Sequence, residues 1–217
     1  MMLPKGENPR IELADEAKSL GDLNVRELRF KLLGDPHVKP LTDFVTQIRN
    51  AKKIGSEIPF FDPFDGGIEA RVLFVLEAPG PKSIQSGFIS CNNPDETAKN
   101  MFHFIHNSGF SRGEIALWNI VPWYIGNGTK IRKPKRSEIK EGLSWLVKLV
   151  ELFKKLDAII FVGNNAASIM STEEISAKIK RFHIPHPSPL FVNRRAENKL
   201  RIVELLTNAR HELLLRR

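Results

Sequence analysis

Four short apolar runs separated by amphipathic stretches organise most of the chain. "RVLFVL" (71–76), "IALWNIV" (115–121), "DAIIFVG" (157–163) and "RFHI" (181–184) are rich in apolar and β-branched residues and predict short buried strands. The segments between them carry helical spacing. "NPDETAKNMFHFIHNSG" predicts a helix capped by Asn93, with Pro94 at its first position, acids in its first turn and Gly109 at its end. "SEIKEGLSWLVKLVELFKKL" predicts another, capped by Ser137, whose Ile139, Leu143, Leu146, Val147, Val150 and Phe153 share one face. A last helix is expected from about Asn193 towards Arg217. Strands alternating with helices predict an α/β fold: a mostly parallel four-stranded sheet with helices on both faces, in three α/β/α layers.

The first 60 residues follow a different pattern. "TDFVTQIRNAKKI" (42–54) predicts an amphipathic helix, "RELRFKLL" (26–33) a second, and "GDPHVKP" a break between them. Two regions follow: residues 1–58 as an N-terminal helical extension packed on the domain, and residues 59–217 as the α/β domain. At their junction "PFFDPFDGG" (59–67) reads as an aromatic, proline and glycine turn lying over the sheet edge.

Composition narrows the function classes. A chain of 217 residues suits one sizeable domain. No apolar run approaches the roughly 20 residues of a membrane span, so a soluble protein is expected. "MMLPKGENPRIELADEAKSL" lacks the basic segment and apolar core of a secretory signal, and Cys91 is the only cysteine. A cytoplasmic monomer without disulfides is the expectation. The net charge of +8 favours polyanionic partners. Its basic residues gather in "KIRKPKR" (130–136), "KIKR" (178–181) and "NRR" (193–195).

In open parallel sheets ligands bind beyond the carboxyl ends of the strands. The four exits here read "EAPGP", "WNIVPWY", "GNNAAS" and "HPSPL", each with a polar group beside a Gly, a Pro or a capping Asn. Their convergence predicts one pocket holding Glu77, Asn119, Asn164 or Asn165, and His186.

"EAPG" followed by "GFIS", an Asn closing the second strand, and "HPSPL" resemble the uracil-DNA glycosylase superfamily in order and separation, over roughly residues 59–207. "HPSPL" is similar to the minor-groove motif of the classical uracil enzymes, and "EAPG" to the iron-sulfur branch. The resemblance implies an enzyme that extrudes a nucleotide from DNA and hydrolyses its N-glycosidic bond. It implies Phe88 as the ring stacked on the base and Asn119 as the amide that pairs with the base edge. His186 becomes the donor to the base carbonyl oxygen, and Glu77 the carboxylate that activates water and faces the oxocarbenium-like sugar. Ser188 is implied at phosphate and Leu190 as the wedge filling the gap, while Lys133, Lys135 and Arg136 would grip the DNA backbone. An acid capping a turn, a buried aromatic and a strand-end Asn remain the structural alternatives for Glu77, Phe88 and Asn119.

The sequence also departs from the family pattern. Ala78 stands where the classical water-activating Asp would fall, and Gly80 where a Tyr excludes thymine, so strict uracil selectivity does not follow. The iron-sulfur branch holds its cluster with four cysteines, and one is present here, so no cluster, other cofactor or metal is expected; His103 and His106 lack cysteine partners for zinc. The expected activity is metal-free, monofunctional excision of uracil or a related deaminated base. The competing classes are a silent binder of damaged or single-stranded DNA and an N-glycosidase of free nucleosides or nucleotides.

Overall fold

The computed structural model describes residues 13–215. The first part of the N-terminal helical extension and the final residues of the expected last helix lie outside the described residues. In chain order the elements are α1 (Leu23–Lys31), α2 (Lys39–Lys52), β1 (Phe60–Phe61), β2 (Val72–Leu76), α3 (Pro81–Ser86), β3 (Phe88–Ile89), α4 (Glu96–Asn107), β4 (Ile115–Asn119), α5 (Arg136–Val150), β5 (Ala158–Val162), α6 (Asn164–Ala167), β6 (Lys180–Ile184), α7 (Pro189–Val192) and α8 (Glu197–Leu214).

The four apolar runs form one parallel sheet in the order β4-β2-β5-β6. Every residue of β4 and β5 is buried, as expected for strands covered on both faces. β6 lies at an edge and carries Lys180, Arg181 and His183, which suits a strand that must not pair further. On one face Trp118 of β4 stacks on Phe61 with ring centres 4.6 Å apart, and Phe44 of α2 lies between Trp118 and Trp145 of α5. On the other face Phe74 of β2 meets Phe110 edge-on, with Arg210 of α8 over the Phe110 ring. Helices therefore cover both faces of the sheet, the predicted α/β fold. α5 crosses close over the β4 exit, because a β-carbon at Gly142 would sit 1.6 Å from the Ile120 carbonyl oxygen.

Several local expectations change. Asp95, not Asn93, caps α4 by accepting the Ala98 N–H at 2.9 Å. Asn93 turns inward instead, accepting from Ser86 Oγ and donating to the Phe88 carbonyl, bonds that a buried amide needs. α5 begins at Arg136, and its end is closed by Glu138, which accepts the Lys135 N–H, not by Ser137. The last helix is α8, starting at Glu197 after the separate short helix α7, and its Ile202, Leu206, Ala209 and Leu213 face the core at helical spacing.

The "PFFDPFDGG" turn is more than an edge cover. Phe60 and Phe61 form β1, paired in parallel with Phe88 and Ile89 of β3. Asp62 and Asp65 behind them are buried. Arg29, a fully buried residue of α1, pairs with Asp62 and donates to the Ala14 carbonyl at 2.7 Å. Arg112 reaches Asp62 at 3.0 Å, Asp65 at 2.8 Å and Asp15 at 3.2 Å. This knot fastens the N-terminal helices to the α/β core through charge as well as apolar contact.

Candidate active site

The carboxyl ends of the strands converge as expected, and backbone bonds hold them there. The Leu76 and Glu77 carbonyls accept the N–H groups of Ile120 and Val121 at 2.8 and 3.0 Å, so the β2–β4 ladder continues beyond both strands. Pro79 then takes the chain out of the sheet, since proline offers no ladder donor. At the β5 exit Gly163 adopts a φ of 82°, and a β-carbon there would meet Cβ of His186 at 3.1 Å. Glycine is required both by this conformation and by the close passage of the "HPSP" segment. That segment is tied from the far side by Asn100 of α4, whose amide donates to the Pro187 carbonyl at 2.9 Å.

Glu77, Ala78, Gly80, Asn119 and His186 line a single cavity of about 270 Å³. Its wall also includes Ile89 of β3 with Ser90 and Cys91 after it, Asp95 at the cap of α4, Thr97 and Met101 within that helix, and Leu117 and Ile131. Glu77 is half-buried, and its Oε2 accepts from Asn165 Nδ2 at 2.7 Å. The expected asparagine of the β5 exit is thus Asn165; Asn164 is exposed. Asn119 is buried, and its side-chain amide makes no hydrogen bond to any described residue. A buried amide facing a cavity with both donor and acceptor unused is suited to reading a planar ligand edge.

Burial pushes the His186 imidazole below its ordinary value, while the nearby charges of Glu77 and Asp95 pull it partly back. It therefore stands uncharged at neutral pH and can offer an N–H donor. An NMR titration should place its midpoint below 6.5, and Glu77→Gln should lower it further by removing the opposing charge. A midpoint at or above 6.5, or an upward move in the variant, would contradict this electrostatic picture. Burial also raises the Asp95 carboxyl, despite the Ala98 and Thr97 N–H groups that favour its charged form. Cys91 is pushed up to about 12 by burial, so its thiol stays protonated and is no nucleophile.

The structure corrects one expected wall residue. Phe88 does not line the cavity: it is fully buried, with its ring 4.6 Å from that of Phe30 in α1. Successive strand side chains point to opposite sides, so pairing β3 with β1 sends Phe88 towards α1 and Ile89 into the cavity. An aliphatic face replaces the expected aromatic one.

The remaining predicted residues do not line the cavity. Ser188 caps α7 by accepting the Phe191 N–H at 3.4 Å, and Leu190 beside it is 86% exposed. Lys133, Lys135 and Arg136 make no ion pair among the described residues, whereas Arg132 is engaged by Glu138. Ile131 of the same segment lines the cavity, so the basic stretch starts at the cavity wall. Sequence reasoning missed Ile89, Asp95 and Asn100; only the doublet of asparagines after β5 signalled a polar contribution from that exit. Among the described residues no group of three or more His, Cys, Asp or Glu is arranged to hold a metal, and no helix is long and apolar enough to cross a membrane.

The family model described as "Uracil DNA glycosylase superfamily" matches residues 63–209, roughly two thirds of the chain. No curated protein matches it.

Proposed function

The chain belongs to the uracil DNA glycosylase superfamily, and from that premise we propose that it hydrolyses the N-glycosidic bond of uracil or a related deaminated base in DNA. The observation that carries this reading is the meeting of a carboxylate, an unused buried amide and an uncharged imidazole on one cavity, from three separate strand exits. Each answers a need of the reaction. The Asn119 amide pairs with the edge of an extruded base. As the bond from C1′ to the base breaks, its electron pair moves onto the base, and His186 donates to the carbonyl oxygen where charge grows. Glu77 opposes the positive charge on the sugar and takes a proton from the water that adds to C1′. The base leaves as its anion and is protonated from solvent, Glu77 passes the proton taken from the water back to solvent, and an abasic sugar remains.

The surface around the cavity fits a polyanionic substrate. Leu190 is an exposed apolar residue on a short helix next to Arg194 and Arg195, a position from which it fills the place of a flipped nucleotide. Lys133, Lys135 and Arg136 supply phosphate contacts. Their combined replacement by Ala should weaken binding across all DNA sequences and flatten the dependence of log K on log salt by about one unit for each cation that touches a phosphate. An unchanged slope would remove these residues from the interface.

The activity is tested with oligonucleotides carrying uracil, hypoxanthine or xanthine, single- and double-stranded, treated with alkali after incubation. Breaks that need the alkali step indicate hydrolysis by water without strand cleavage. Tight binding without breaks would turn the reading towards a silent binder, and base release from free nucleosides alone towards a small-molecule hydrolase.

A further inference from the structure

We propose that Asn165 is a positioning residue that holds the Glu77 carboxylate in its working orientation, an inference that rests on the glycosylase reading above. The carboxylate stands on a backbone already fixed by the Val121 N–H, but its side chain has rotatable bonds of its own. Asn165 Nδ2 donates to Oε2 at 2.7 Å, and no other described residue bonds to the carboxylate. One oxygen is therefore restrained, while the other accepts no hydrogen bond from a described residue, and Glu77 lines the cavity. Such an arrangement fixes a reacting group at little cost to its chemistry.

The identity of the donor matters. Lysine or arginine at this position would orient Glu77 equally well but would neutralise the charge that the sugar cation requires. A neutral amide restrains the carboxylate and leaves its charge intact. The β5 exit is built to deliver that amide. Gly163 takes the left-handed turn that starts α6, its N–H donates to the Ile184 carbonyl at 2.9 Å, and its missing side chain lets His186 pass. One glycine thus places Asn165 beside Glu77 and His186 against the same turn, so the two reacting groups share a common support.

The test compares single-turnover excision and oligonucleotide affinity for the wild type, Asn165→Ala and Asn165→Asp, each also in the Glu77→Gln background. Asn165→Ala should slow excision about 10- to 100-fold with Kd for the lesion oligonucleotide unchanged within about twofold. Asn165→Asp keeps the shape of the side chain, and therefore the fold, yet places a like charge against Glu77, so it should be slower still. In the Glu77→Gln background Asn165→Ala should cost nothing further, because its partner is no longer acting as a base. An unaltered rate, a loss confined to Kd, or an equal loss in both backgrounds overturns the inference alone. A wild type that excises none of the lesions overturns it together with the glycosylase reading.

Discussion

Glu77→Gln should lower the single-turnover excision rate by about 10²- to 10⁴-fold, the range typical of a lost general base or charge stabiliser, without weakening DNA binding. Glutamine has nearly the same shape and can still accept from Asn165 through its amide oxygen, so the cavity and the strand exits are kept. What disappears is the negative charge, which serves the transition state more than the ground state. The loss should consequently fall on the chemical step. Single-turnover rates at saturating protein, read beside fluorescence-anisotropy affinities, separate the two. A variant that excises at the wild-type rate would reduce Glu77 to a structural partner of Asn165 and turn attention to Asp95, the other carboxylate on the cavity wall, since Ala78 cannot supply one.

Asp62→Ala should destabilise the protein by about 3 to 5 kcal/mol, the cost of removing one partner from a buried ion pair. Burial alone pushes the Asp62 carboxyl up, but Arg29 and Arg112 more than offset this and leave it below its ordinary value. Without it, the buried Arg29 loses its carboxylate partner, and Arg112 keeps only Asp65 and Asp15. Urea unfolding of the two proteins measures the difference directly. A change below about 1 kcal/mol would place the pair among the weak surface bridges and would mean that the N-terminal helices are held by apolar contact alone. Ser90 also donates to Asp62 and lines the cavity wall, so excision should fall in step with stability.

The sheet and the convergence of its exits could be read from the sequence because each strand is a self-contained apolar run and parallel topology leaves few arrangements. The finer errors arise where the outcome depends on distant residues. "GFIS" offers two adjacent apolar side chains, and which one enters the cavity is decided by pairing with Phe60 and Phe61, far back in the chain. The acids of "PFFDPFDGG" look like turn residues until Arg29 and Arg112 are brought to them by folding. In "NPDE" both Asn93 and Asp95 are competent caps; the inward hydrogen bonds of Asn93 to the β3 region decide in favour of Asp95. The asparagine doublet after β5 similarly yields one partner for Glu77 and one exposed residue, a division fixed by the direction in which Gly163 turns the chain.

The close approach at Gly142 sets how near α5 can lie to the β4 exit. α5 rests with its backbone directly on the carbonyl just beyond β4, shortly before the chain departs towards the lysine- and arginine-rich stretch that then leads into the same helix. A single added methyl group would lever that helix outward and carry its leading cations with it. On the proposed reading, the spacing between the cations that would meet the phosphates and the carboxylate that would face the sugar is therefore set in part by one missing side chain.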